Sequence, residues 1–150
     1  MIRSLLATVC ATVLLNTVVL ADDVTEIVLH PDAANPLMYD KKALSVKVGQ
    51  KVKLTLENKS AIPQPHNLML LKPGSKDKVI ALANMMLTDP NAMTKQYIPE
   101  STDILYHTNL IQPGQTGTIE FTITEPGDYP YLCTFPGHSI LMNGVLTAAK

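Results

Sequence analysis

The chain has 150 residues, enough for one domain with a sizeable core and too few for two ordinary ones. Its formal net charge of -1 comes without any block of Lys or Arg, so nothing electrostatic points to nucleic acid as a partner. No GxGxxG, GxxxxGK or HExxH pattern occurs, and neither a catalytic triad nor paired acid-base carboxylates are evident, which removes the usual signatures of nucleotide-binding and metalloprotease chemistry.

Residues 1–21 carry one positive charge at Arg3 and then an apolar run from Leu5 to Leu20, interrupted at Asn16 and ending Val19-Leu20-Ala21 before Asp22-Asp23. This predicts a secretory signal peptide, 1–21, cleaved after Ala21, with the mature domain spanning 22–150 in the periplasm or outside the cell. The run is short for a membrane span, which makes an uncleaved anchor the weaker reading. A lipid anchor at Cys10 is weaker still, because Thr8-Val9 supplies no small residue before it. Cleavage removes Cys10 and leaves Cys133 as the single thiol, so no disulfide forms within one mature chain. An unpaired thiol in an oxidising compartment is a chemical liability unless something occupies it, and a metal is the expected occupant.

Beyond the leader, Val24 to Leu29 reads as a strand, followed by a Pro- and Asp-containing stretch, 30–36. Segments 44–48 and 51–58 alternate apolar and polar residues with period two around Gly49-Gln50, the pattern of antiparallel strands with one wet face. A turn-rich connection leads into 66–71, a largely apolar run expected to be a central strand beginning at His66. The one helical stretch is 76–87, preceded by Ser75 as its expected N-cap and broken by Thr88-Asp89-Pro90. Further strands are expected at 104–108, 116–124, 129–133 and 143–149, with Gly117, Ile119, Phe121 and Ile123 on the inner face of the second. The sum is an all-β, Greek-key β-sandwich with one short helical insertion.

The last two strands bracket Cys133-Thr134-Phe135-Pro136-Gly137-His138-Ser139-Ile140-Leu141-Met142, where a thiol, an imidazole and a thioether fall within one loop. Pro136-Gly137 favours a tight turn that folds the three side chains toward one point. A soft thiolate, a borderline imidazole and a weak thioether, completed by a second imidazole, form the donor set of a trigonal His₂Cys copper site with a long axial Met. His66 is the expected second imidazole, since it follows a Pro-rich turn at the same end of the sandwich. Its competitors, His30 beside Pro31 and His107 in a strand-like run, read as surface residues. Asn67 is expected to hydrogen-bond the neighbouring loop, and with Thr134 and Phe135 to surround the ligand segments. The Pro65 carbonyl could face the metal as a distant fifth contact. The spacing Cys-x₄-His-x₃-Met is not that of structural zinc sites, although zinc would fit a vacant site of this composition.

The loop resembles the copper loop of the azurins, and the resemblance extends through Pro65-His66-Asn67, His107-Thr108-x-Leu110-Ile111 and Gly144-x-Leu146-Thr147, over nearly the whole mature chain. It implies a cupredoxin sandwich holding one type 1 copper, with His66, Cys133 and His138 equatorial, Met142 axial and the Pro65 carbonyl standing where azurins have a glycine. It also implies a periplasmic one-electron carrier rather than an enzyme. The mature chain lacks the azurin disulfide and the core Trp, and Met38-Tyr39-Asp40 and Ile62-Pro63-Gln64 depart from the usual apolar set, which bears on partner choice.

Phe135, Pro136, Ile140 and Leu141 are expected to form an apolar patch around the His138 edge, where redox proteins dock transiently. An oxidase that relays electrons to a further copper cluster needs histidines flanking its Cys, and Cys133 has Leu132 and Thr134. The rival reading is a copper-delivery protein in which the metal is cargo.

Overall fold

The structure, a computed structural model, describes residues 24–60 and 62–150; the expected signal peptide lies outside them. Eight strands and one helix follow in order: β1 Val24–Leu29, β2 Ala43–Lys47, β3 Lys51–Glu57, β4 Met69–Leu71, α1 Lys76–Met85, β5 Ile104–His107, β6 Thr116–Thr122, β7 Gly127–Leu132 and β8 Asn143–Ala149. They form two sheets, β1-β3-β6 and β2-β8-β7-β4-β5, as the all-β sandwich reading expects.

Period-two patterning decides which side chains meet. Val52, Leu54 and Leu56 of β3 point inward, and the register sets Val52 opposite Phe121 and Leu54 opposite Ile119 on antiparallel β6. Leu44 and Val46 of β2 and Leu146 and Ala148 of β8 face them from the other sheet, in one core that also holds Cys133 and Met142. Each buried Val, Leu or Ile among them contributes about 1.5–3 kcal/mol.

Not every ladder is antiparallel, as the alternation suggested. β1 pairs with β3 in parallel, and β2 pairs with β8 in parallel. Parallel neighbours need a crossover. Here β1 reaches β3 by way of β2 in the opposite sheet, a relation that strand-by-strand patterning does not encode.

β4 is buried on both faces, which is why its sequence is continuously apolar. Leu70 faces the sandwich core, while Met69 and Leu71 pack with Val79 of α1 and Leu132 of β7. The helix ends at Met85 and passes into one 3₁₀ turn, Met86–Thr88. Ser75 stands at the N-cap position without capping: its hydroxyl donates to the Lys72 carbonyl at 2.7 Å. The strand expected from His66 is confined to Met69–Leu71, because His66 pairs elsewhere.

Candidate metal centre

Two segments build the centre at one end of the sandwich. Met69 pairs with Leu132 across antiparallel β4 and β7, so the residues preceding Met69 lie beside those following Leu132. That register alone brings Asn67 to Thr134. Asn67 Oδ1 accepts from the Thr134 N–H at 2.8 Å, and Asn67 Nδ2 donates to Thr134 Oγ1 at 3.0 Å and to the Gln96 carbonyl at 3.0 Å. Thr134 Oγ1 in turn donates to the Tyr97 carbonyl at 2.5 Å.

His66 is placed by its backbone. It forms an isolated bridge with Ile111, donating to that carbonyl at 3.1 Å and accepting from that N–H at 2.7 Å. Asn58, fully buried at the end of β3, donates to the same Ile111 carbonyl at 3.0 Å and to the Gln64 carbonyl at 2.9 Å.

The 133–142 loop closes on itself. The Cys133 N–H donates to the Met142 carbonyl at 2.9 Å, and the Met142 N–H donates to the His138 carbonyl at 2.7 Å. Between them the His138 N–H donates to the Phe135 carbonyl at 3.0 Å across Pro136-Gly137, and Gly137 has φ 79°. Pro second and a left-handed Gly third is the signature of a type II turn.

The ligand atoms converge. His66 Nδ1 lies 3.1 Å from His138 Nδ1, Cys133 Sγ lies 3.7 Å from His138 Nδ1, and all three atoms are within 4.8 Å of one another. An ion bonded at about 2.0–2.1 Å to nitrogen and about 2.3 Å to sulfur, at near-trigonal angles, sets N···N at about 3.4–3.6 Å and N···S at about 3.6–3.8 Å. The Sγ···Nδ1 separation of 3.7 Å matches such an ion, whereas the two Nδ1 atoms, 3.1 Å apart, stand about 0.3–0.5 Å closer than bonding to it would set them. Among the described residues this is the one His/Cys/Asp/Glu group with that convergence. Met142 is fully buried in the same core as Cys133.

Electrostatics agree with the donor set. Burial, with His138 alongside, pushes His66 down to about 4, and burial also lowers His138, so both rings are neutral and carry a free lone pair at neutral pH. Burial pushes the Cys133 thiol up to about 12 against the opposing N–H groups of Asn67 and Phe135. A thiolate therefore belongs here only with a cation to balance it, and a thiophilic metal ion supplies that charge.

The outer edges of the two imidazoles differ. His66 Nε2 is buried without a hydrogen-bond partner, and the ring's polar contact is through Nδ1 to His138. His138 Nε2 meets Gln64 Oε1 at 3.0 Å. Only 3 % of His138 is exposed, whereas the expected docking patch needs an open imidazole edge. Of the patch residues, Ile140 and Leu141 are 76 % and 43 % exposed, while Phe135 and Pro136 are half-buried and the Phe135 ring lies edge-on to His138.

His107 is exposed at the end of β5, as expected. His30 is not simply solvated: its Nδ1 and Nε2 face Asp40 at 3.2 Å and Glu57 at 3.1 Å. Sequence reasoning missed the parts played by Asn58, Ile111, Gln96 and Tyr97. Gln96 and Tyr97 have φ of 57° and 52°, a left-handed pair of ordinary residues that no Gly or Asn announces.

A model of copper binding proteins of the plastocyanin/azurin family matches residues 25–149. Auracyanin-A of Chloroflexus aurantiacus is 36% identical over 111 residues, 73% of this chain and 66% of that protein, so the chain spans just under two thirds of its length. Azurin of Pseudomonas fluorescens biotype C is more distant, 28% identical over 77% of this chain and 93% of that one. The solved structure of dithionite-reduced auracyanin from the photosynthetic bacterium Roseiflexus castenholzii superposes with a TM-score of 0.70 at 36% identity, covering 84% of this chain and 98% of that one. Fold, converging donors and family match agree: the chain belongs to the plastocyanin/azurin family of copper binding proteins.

Proposed function

We propose that this protein is a type 1 blue copper carrier that accepts and donates one electron between redox partners outside the cytoplasm and transforms no substrate. The observation that carries this reading is the convergence of His66 Nδ1, His138 Nδ1 and Cys133 Sγ in a buried site. His66, Cys133, His138 and Met142 would hold the copper, with the Pro65 carbonyl as a further weak contact. Bound copper supplies a one-electron couple, for which thiolate and thioether favour Cu(I) and imidazole accepts either state. The chain's own part is to hold those donors in one geometry. Its ligand segments are tied to the sheets through Asn67, Thr134 and Ile111, and little rearrangement is then needed when the charge changes.

Exposed Ile140 and Leu141 beside half-buried Phe135 and Pro136 support a small apolar contact of the kind that transient redox partners use. Residues 1–21 act as a cleaved signal peptide, which delivers the carrier outside the cytoplasm. No helix among the described residues is long and apolar enough to cross a membrane. The loop is azurin-like in its spacing, although the auracyanin-A match is the stronger in identity.

The test is titration of residues 22–150 with Cu(II), followed by visible absorption, alongside Cys133→Ser. An intense thiolate-to-copper charge-transfer band saturating at one copper per chain, and missing from the variant, is expected. No band, or the same band in both, overturns the reading.

A further inference from the structure

We propose that Gln64 is the positioning residue for His138 and that its carboxamide, rather than the imidazole edge, forms the outer cover of the site. The proposal rests on the metal-centre reading above and adds the residue that governs one of its ligands.

Hydrogen-bond capacity sets the His138 tautomer. A side-chain carbonyl oxygen can only accept, so His138 Nε2, 3.0 Å from Gln64 Oε1, carries the ring hydrogen. A neutral imidazole has one such hydrogen, so Nδ1 presents its lone pair toward Cys133 Sγ and His66 Nδ1. Gln64 therefore selects the tautomer that can ligate, and it fixes the ring rotation that aims Nδ1 inward.

Gln64 is itself held. Its carbonyl accepts from Asn58 Nδ2 at 2.9 Å, and its N–H donates to the Ile62 carbonyl at 2.8 Å. Asn58 is fully buried and also grips the Ile111 carbonyl to which His66 is bridged. One buried amide thus sets the segments that carry both the cap and the His66 ligand. His138 is left only 3 % exposed beneath this segment.

The two histidines are consequently restrained by different means. His66 has no partner at Nε2, and its backbone is fixed by the Ile111 bridge. His138 lies on a surface loop beside exposed Ile140 and depends on a side chain that one substitution removes. Loss of the outer hydrogen bond of a metal-ligating His typically costs about 10–100-fold in metal affinity or activity.

The experiment uses ¹⁵N-labelled residues 22–150, metal-free and after loading with Cu(I), which is diamagnetic. The His138 Nε2–H resonance is observed directly in the wild type, Gln64→Met and Gln64→Glu. In the wild type it is expected to be visible and slow to exchange with water. Gln64→Met, similar in length but a poor acceptor, loses that protection and weakens Cu(I) binding by about tenfold, measured by competition with a chelator. Gln64→Glu keeps an acceptor and retains the protected resonance. A wild-type Nε2–H that exchanges as fast as free imidazole overturns the proposal, as does Gln64→Met with unchanged protection and affinity. Melting temperatures establish that the variants are folded. Because protection is read in the metal-free chain and in the Cu(I) form, it stands or falls separately from the blue band and from electron-transfer rates.

Discussion

Asn67 grips Thr134 at two points, accepting from its N–H at 2.8 Å and donating to its hydroxyl at 3.0 Å, and so joins the two strands' ends that carry His66 and Cys133. Both residues are buried, and neither group has water to fall back on. Asn67→Ala strands the Thr134 N–H and the Gln96 carbonyl, at an expected cost of about 2–4 kcal/mol. Urea denaturation of the metal-free protein measures it. The blue band is expected to broaden or shift with the loosened loop, and a variant with unchanged stability and spectrum would show that the tie is incidental.

Gly144 and Tyr131 are a cross-strand pair in which only a glycine fits. A Cβ on Gly144 would sit 2.3 Å from the Tyr131 ring and 2.7 Å from the Lys42 carbonyl. The ring cannot simply swing away, because its hydroxyl donates to the Lys41 carbonyl at 2.7 Å and Lys42 pairs with Val145. Gly144→Ala should destabilise the fold by about 1–3 kcal/mol through overpacking. The expected result is a lower urea midpoint at unchanged slope.

The contrast between local and non-local signals explains what could be read from the chain. Alternation located β2, β3 and β6, and the largely apolar run 66–71 pointed to β4, which is covered on both faces but confined to Met69–Leu71. The 133–142 loop was legible because three metal-type side chains and a Pro-Gly turn are adjacent in sequence. The parallel pairing of β1 with β3 was not, since it depends on where the chain crosses between sheets. Nor were Asn58, Gln64, Gln96 and Tyr97 legible as parts of the centre. They act through backbone carbonyls or through a partner more than 25 residues away, and no local pattern marks such contacts.

Met142 is fully buried and backbone-bonded to Cys133 and His138. As the proposed axial ligand it is a weak donor to the oxidised ion, so Met142→Leu should retain copper and raise the reduction potential. A redox titration decides it: an unchanged potential would count against axial ligation.

Removal of the metal exposes a pH dependence whose sign follows from the two imidazoles. Burial holds His66 at about 4 and His138 below the ordinary 6.5. The unfolded chain takes up these protons near 6.5 and binds more of them than the folded chain does below that value. Stability of the metal-free form is therefore full near neutrality and falls as pH drops from about 6.5 toward 4. The melting temperature of the metal-free form against pH should show that slope, reduced in His66→Gln. A melting temperature that rises on acidification would contradict it.

The central claim is that copper resides here and electrons pass through. The most direct measurement pairs the electron self-exchange rate, from NMR line broadening in mixtures of oxidised and reduced protein, with the rate of copper loss to a chelator. The carrier account predicts fast self-exchange and slow copper loss. Slow self-exchange with ready transfer of copper to an acceptor would contradict it and make the metal cargo.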